Sequence, residues 1–323
     1  MQLRRERRRR NRCLLKKAPS RAAVERRRRM HRPGRRLRGS WRYTDTRAAA
    51  RVAFSVAVSP APPIGDNCPM HIETLGSGPD LVLIHGWALH GGVFAPLAER
   101  LASRYRLHLV DLPGHGYSRD ADEPLDPGVV VSQVSARTPE AVWLGWSLGG
   151  LFALRAAAAL PSVRGLVMVA ATPRFVRGPG WEHAVEPSVF ASFGENLARD
   201  YGGTLDRFIA LDTLGSEHGQ SELRALRALL HARGQPSPEA LQAGLGLLER
   251  SDLRHALPEL RVPSLWLAGR RDRLVDPRGM AEAAARAPGA RFVELAGAGH
   301  APFLGHVDAV AAELDAFMAG IRF

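Results

Sequence analysis

The feature that most constrains this chain is the run Ala141-Val142-Trp143-Leu144-Gly145-Trp146-Ser147-Leu148-Gly149-Gly150. Its apolar part ends in Gly-Trp-Ser-Leu-Gly, which fits Gly-x-Ser-x-Gly, and a helical stretch rich in Ala and Leu follows from Leu151 to Leu160. Strand, sharp turn and helix in that order are the setting of a nucleophile elbow. The turn holds its middle residue in a strained conformation, and small residues two before and two after Ser147 keep strand and helix from colliding. Ser147 then stands at the carboxyl end of the strand with its Oγ exposed. The N–H of Leu148 points at any oxyanion forming beside it. The competing reading is a Gly-rich turn with a bystander serine.

The rest of the chain supports an alternating α/β pattern. His71 to Leu75 reads as a short strand, Leu81 to Ile84 as a strand buried on both faces, and Arg106 to Leu112 and Gly165 to Ala170 as further strands. Apolar residues at helical spacing predict a helix over about Gly92 to Tyr105, and residues 120–139 hold one irregular helix. Such alternation implies a mostly parallel sheet flanked by helices. It stops between about Pro173 and Ser251, where four helices are expected: Val185–Tyr201, Thr204–Leu214, Ser221–Arg233 and Pro238–Arg250. Leu223, Leu226, Leu229 and Leu230 share one face of the third. Residues 174–251 therefore read as an all-helical lid, inserted after the strand that follows the nucleophile helix. Residues 70–173 and 252–323 form the core, with strands at Ser264 to Ala268 and Arg291 to Leu295 and helices over about Pro277–Ala287 and Ala301–Ile321.

A serine nucleophile needs a base and a group to orient it. In a fold of this kind the chain order is Ser, acid, His. Asp272 follows the strand ending at Gly269, whereas Asp276 beside Pro277 reads as a helix N-cap. His300 lies in Gly297-Ala298-Gly299-His300-Ala301-Pro302-Phe303, whose small residues let the loop reach Ser147. The rival histidines fit other roles. His85 holds the shape of the next loop, His115 sits in a Gly-rich turn, and His306 falls inside the final helix. A second oxyanion donor is expected from the loop after the first long strand, and the N–H of Trp87 in His85-Gly86-Trp87 is placed for it. The Trp87 ring either lines an acyl pocket or packs under the lid. This chemistry needs no metal and no organic cofactor.

Net charge is +13, but it is unevenly spread. Residues 1–69 carry 21 Lys+Arg against 4 Asp+Glu, while the remainder carries 24 Arg, no Lys and 28 acids. Blocks such as Arg7 to Arg10 and Arg26 to Arg29 favour disorder in this leader. It could bind nucleic acid or acidic lipid, act as an export signal, or be translated sequence ahead of a start at Met70; the last is favoured. Cys13 and Cys68 both lie there, so the body from Met70 on has no disulfide framework and no Cys-ligated metal. A cytoplasmic, monomeric body is expected, with neither nucleic acid nor membrane as its partner.

These pieces together resemble the α/β-hydrolase superfamily over residues 71–323. The residues that carry the likeness are His85-Gly86-Trp87, Leu107 to Gly114, Trp143 to Leu151, Arg207-Phe208-Ile209-Ala210-Leu211 and Ala298 to Phe303. Within the superfamily they most resemble the esterases that remove the methyl ester from pimeloyl-[acyl-carrier protein] in biotin synthesis. The resemblance implies substrate contacts at Trp87, Ser147, Leu148, Phe208, Ile209, Ala210, Leu211, Asp212 and His300, and an acyl carrier protein as partner. Asp212 stands where the family leads one to expect an uncharged amide. An acidic carrier needs local positive charge, and the lid offers Arg207, Arg224, Arg227 and Arg233, with Arg207 and Arg224 the leading pair for docking. The alternatives are a broad-specificity short-chain carboxylesterase, a non-catalytic receptor on the same fold, and nucleic-acid binding through the leader.

Overall fold

A computed structural model describes residues 69–323. The disorder expected of the Arg-rich leader falls outside the described residues.

Seven strands form one sheet: β1 (Ile72–Gly76), β2 (Asp80–Ile84), β3 (Arg106–Val110), β4 (Ala141–Trp146), β5 (Val163–Val169), β6 (Ser264–Gly269) and β7 (Ala290–Leu295). Their spatial order is β1-β3-β2-β4-β5-β6-β7. Only the β1–β3 pairing is antiparallel. The central strands β2, β4 and β6 are buried almost throughout, as their unbroken apolar runs require in a sheet covered on both faces. The chain runs from β2 outward to β3, then crosses back to β4 on the other side of β2. The carboxyl ends of β2 and β4 thus meet where the strand order reverses, the usual place for a site in an open α/β sheet.

The core helices are α1 (Ala95–Leu101), α2 (Pro127–Ser135) and α3 (Gly149–Ala159). Asp126 caps α2 by accepting from the N–H groups of Gly128 and Val129. The helix predicted over Gly92–Tyr105 begins instead with a 3₁₀ turn at Gly91–Phe94, capped by the His90 side chain. Pro96 then takes its place in the first turn of α1.

The insert holds four helices, as expected: α4 (Pro187–Arg199), α5 (Tyr201–Asp212), α6 (Gly219–Ala232) and α7 (Pro238–Arg250). Leu226 and Leu230 are buried on the inner face of α6, with Leu223 and Leu229 packed beside them. The chain ends with α8 (Pro277–Arg286), α9 (Pro302–Gly305) and α10 (Val307–Met318). Asp276 caps α8, accepting from Arg278 N at 2.9 Å, and the Arg278 guanidinium holds its carboxyl below the usual range.

The single final helix read from the sequence is broken, and His306 lies at the break rather than inside a helix. The lid packs closely against the residue before the break. A Cβ at Gly305 would meet Glu222 Oε1 at 2.1 Å and His218 Cβ at 3.0 Å, so the lid presses directly on this point. No helix among the described residues is long and apolar enough to cross a membrane.

Candidate active site

Ser147 follows β4 directly and has φ +52°, a left-handed conformation costing on the order of 1–3 kcal/mol in a residue with a side chain. The neighbouring glycines make that turn possible. A Cβ at Gly145 would lie 2.3 Å from Gly149 O, and one at Gly149 only 2.2 Å from Ile84 O. Strand, helix and the neighbouring strand approach so closely that only hydrogen fits at either place. Ser147 N donates to Val169 O at 3.0 Å, which ties the turn to β5.

The structure brings Ser147, His300 and Asp272 together. His300 Nε2 is 2.9 Å from Ser147 Oγ, and its Nδ1 is 2.8 Å from Asp272 Oδ2. A carboxylate only accepts, so Nδ1 carries the proton and Nε2 is free to accept from the serine. Asp272 is itself fixed: its Oδ1 accepts from Leu274 N at 2.8 Å and Val275 N at 2.9 Å. The His300 loop is held by the Trp146 indole, which donates to His300 O at 2.8 Å. Burial pushes the imidazole of His300 toward neutrality, but the charge and hydrogen bond of Asp272, joined by Asp212, outweigh it and raise its pKa.

A second carboxyl flanks the imidazole on its other side. Asp212, the last residue of α5, has Oδ1 3.9 Å from His300 Nε2, and its backbone carbonyl accepts from His300 N at 3.2 Å. The side chain is fully buried and neither oxygen has a hydrogen-bond partner. Burial raises its pKa to about 7, with His300 pulling it down and Asp272 pushing it further up.

The loop after β2 is held by His85, as the sequence predicts. His85 Nδ1–H donates to Gly86 O at 2.7 Å, and its Nε2 accepts from Leu112 N at 3.0 Å. Burial, with the neighbouring His115, keeps His85 neutral, its pKa lowered well below the usual value. His115 is likewise buried, which lowers its pKa to about 4. A Cβ at Gly86 would lie 3.2 Å from Ser147 Cβ, so this loop runs directly beside the serine. Leu148, at the entrance to α3, puts its N–H at a helix N-terminus, where partial positive charge collects.

The Trp87 ring is fully buried under the lid. Its Nε1 donates to Leu241 O at 2.9 Å, and the ring meets Phe208 edge-on at 4.7 Å and Phe193 at 6.3 Å. Phe208, Ile209 and Asp212 face inward on α5, whereas Ala210 is exposed and Leu211 half-buried. Ala210, Leu211, Leu214 and Arg207 line an outer groove of about 540 Å³ between α4 and α5. Ala210 and Arg224 also border a second groove of about 600 Å³ at the α5–α6 corner. Neither groove includes Ser147 or His300 in its lining, and those residues are 5% and 1% exposed.

Of the four lid arginines, Arg207 and Arg227 are half-exposed and loosely paired with Asp200 and Asp206 at 3.4 Å. Arg224 is exposed. Arg233, offered by the sequence as part of the lid's positive charge, is instead turned inward, its side chain only 12% exposed. It reaches inward to Asp111 at 3.3 Å and to Glu73, and stacks over Tyr117, so it fixes the lid to the core. Asp111 earns this partner because its fully buried carboxylate also accepts from Gly91 N and Tyr117 N. Neither the orphaned state of Asp212 nor the Asp111–Arg233 pair has a signal in sequence spacing.

A parallel sheet with a serine–histidine–aspartate relay at its carboxyl edge defines a class of serine hydrolases, and the comparisons agree. The Alpha/beta hydrolase family model matches residues 81–313, and the chain belongs to that family. It is 66% identical over 252 residues to the pimeloyl-[acyl-carrier protein] methyl ester esterase of Xanthomonas oryzae pv. oryzae, a match covering 78% of this chain and 100% of that protein. The protein of the same name from Stenotrophomonas maltophilia is 64% identical, with 78% and 97% covered. In fold, the chain is similar to an esterase from Exiguobacterium antarcticum, with a TM-score of 0.70 at 22% identity, covering 78% of this chain and 96% of that one.

Proposed function

We infer that this chain is a serine carboxylesterase that hydrolyses the methyl ester of pimeloyl-[acyl-carrier protein], freeing the pimeloyl carboxylate for biotin synthesis. The observation that carries the reading is the Ser147–His300–Asp272 relay, at 2.9 and 2.8 Å, in a chain 66% identical to esterases of that name.

In this mechanism His300 Nε2 takes the proton of Ser147 as Oγ attacks the ester carbonyl. The N–H groups of Trp87 and Leu148 hold the oxyanion. His300 returns the proton to the departing methoxy oxygen, methanol leaves, and the pimeloyl carbonyl stays on Ser147. Water then attacks the acyl-enzyme with His300 again as base, and the serine is regenerated. Asp272 keeps the proton on Nδ1 and stabilises the imidazolium. The apolar inner face of the lid, Phe208 and Ile209, packed over Trp87 of the core, supports a site for a methylene chain.

The partner is an acyl carrier protein, met in the cytoplasm by a monomeric enzyme. Arg207 and Arg224, exposed beside the outer grooves, supply local positive charge for its acidic surface. Ala210 and Leu211 border the same groove as Arg207 and contact the carrier's arm there. The deciding test measures kcat/KM on pimeloyl-[acyl-carrier protein] methyl ester beside a simple short-chain ester. A preference for the carrier-bound ester is expected. Equal rates on both would favour a broad-specificity esterase.

A further inference from the structure

At the corner between α5 and α6, three side chains with metal-binding atoms converge. Glu217 Oε1 is 3.0 Å from His306 Nε2 and 3.7 Å from His218 Nε2, and one ligand atom of each residue lies within 4.8 Å of the others. Ligands bonded to a zinc-like ion at 2.0–2.1 Å in tetrahedral array stand about 3.3 Å apart, so the two glutamate distances bracket that edge. The His218 side chain is 49% exposed, so its ring is free to adjust toward an ion held by the other two. Glu217 and His218 also line the 600 Å³ groove at this corner, which gives an ion a path in.

The surroundings supply a second observation. His306 Nδ1 is buried and has no hydrogen-bond partner. Glu222, whose Oε1 accepts from Ser216 Oγ at 2.8 Å, has its Oε2 buried and unpartnered as well. Both His218 and His306 lie close enough to bear on the charge of Glu222. Ligation through Nε2 fixes the His306 proton on Nδ1; Glu222 Oε2 and His306 Nδ1 are not bonded to each other as they stand, so both remain free to turn toward a bound ion's outer shell.

We propose that Glu217, His218 and His306 form a binding site for a first-row transition-metal cation that staples the lid to the catalytic-histidine segment. Two imidazoles and one carboxylate suit zinc, cobalt, nickel or copper, and not the oxygen-seeking magnesium or calcium. The ligands come from opposite sides of the lid joint. Glu217 and His218 belong to the lid corner just past Asp212, and His306 to the break between α9 and α10 just past His300. The same joint is already bridged by Glu217 N donating to Gly297 O at 3.0 Å and by His300 N donating to Asp212 O. An ion here holds this corner of the lid against the catalytic-histidine segment. It takes no part in the ester chemistry, and the proposal stands whether or not the substrate assignment does.

The test uses the full chain stripped with a chelator and titrated with cobalt(II) as spectroscopic probe, then zinc as competitor. One equivalent should give the visible absorption of a tetrahedral nitrogen–oxygen site, displaced by zinc and unaffected by magnesium. His218→Ala, His306→Gln and Glu217→Gln should each weaken binding on the order of 100-fold, since even outer partners of metal ligands are worth 10–100-fold. Metal-free esterase activity of each variant reports that it is folded. Zinc should slow amide hydrogen exchange over residues 213–220 in the wild type and leave the His306→Gln variant unchanged. Three results would overturn the proposal: no saturable cobalt binding, binding that survives in the His218→Ala/His306→Gln double variant, or binding that leaves exchange over 213–220 unaltered.

Discussion

Replacing Asp212 by Asn tests how the second carboxyl acts on the catalytic base. The substitution keeps the shape of the side chain and removes its charge. Asp212 Oδ1 lies 3.9 Å from His300 Nε2, and both groups are buried. Two unit charges at that distance attract by about 4 kcal/mol at an effective dielectric of about 20. At about 1.4 kcal/mol per tenfold change, this caps the effect on the protonation of His300 at about three pH units. The ceiling is not reached, because burial raises the pKa of Asp212 to about 7 and leaves it only partly ionised near neutrality. The pair titrates jointly, and a working effect on the order of one pH unit is expected. The base must be neutral to accept from Ser147, so the acid limb of the kcat/KM profile on a small ester should move to lower pH in Asp212→Asn. An acid limb that stayed in place, or rose, would refute the argument.

Stability offers an independent reading of the same residue. The folded pKa of Asp212 is raised above its unfolded value, so its contribution is full below about pH 4 and is lost as pH rises through about 7. His300, also raised, loses its contribution in the same direction as pH climbs past the ordinary histidine range. From pH 5 to pH 8 the Asn variant should therefore gain about 2–3 kcal/mol relative to wild type in urea unfolding. A constant difference across that range would show that Asp212 does not titrate there.

Ser147→Ala and Asp272→Asn should each lower turnover on the order of 10⁴-fold or more without unfolding the body, and their losses should not add; a Ser147→Ala enzyme within about tenfold of wild type would sink the assignment. Gly149→Ala should cost about 3 kcal/mol or more, read in urea unfolding, because its Cβ falls 2.2 Å from Ile84 O and the backbone must give way. Arg207→Glu with Arg224→Glu should lower kcat/KM for the carrier-bound ester, most at low salt, and leave a small soluble ester nearly unchanged; equal loss on both substrates would make these arginines structural. A chain starting at Met70 should hydrolyse esters like the full chain, since the Met70 side chain is already buried and its carbonyl accepts from Arg137; an inactive product would give the leader a structural role.

The parts of the fold that were legible in the sequence are those set by local rules. The strands announced themselves as short apolar runs, and the elbow by glycines that the packing requires at 145 and 149. Asp276 could be told from Asp272 because Pro277 marks a helix start, and a capping carboxyl belongs just before it. The lid was visible as an interruption of the alternation. What could not be read was set by pieces of chain far apart in sequence. Glu222 and His218 arrive from the lid against Gly305, beside the break at His306. The inward turn of Arg233 depends on Asp111, 122 residues away. A helical pattern places both residues on a surface but cannot say what meets it.

Asp212 is the clearest case of this limit, and it bears on how the site is built. From the sequence, it is an acid where the resemblance leads one to expect an amide, with nothing to say what it meets. In the structure, α5 ends against the catalytic loop, so the Asp212 carbonyl satisfies His300 N while its carboxyl enters the same buried space. The backbone contact holds the base in place and serves the relay at any pH. The side-chain contact opposes the relay whenever Asp212 is ionised, because it favours the imidazolium that cannot accept from Ser147. An amide at this position would keep the first effect and remove the second. A carboxyl therefore makes the readiness of the base depend on the ionisation of Asp212, which the same residue's backbone contact keeps close to Nε2.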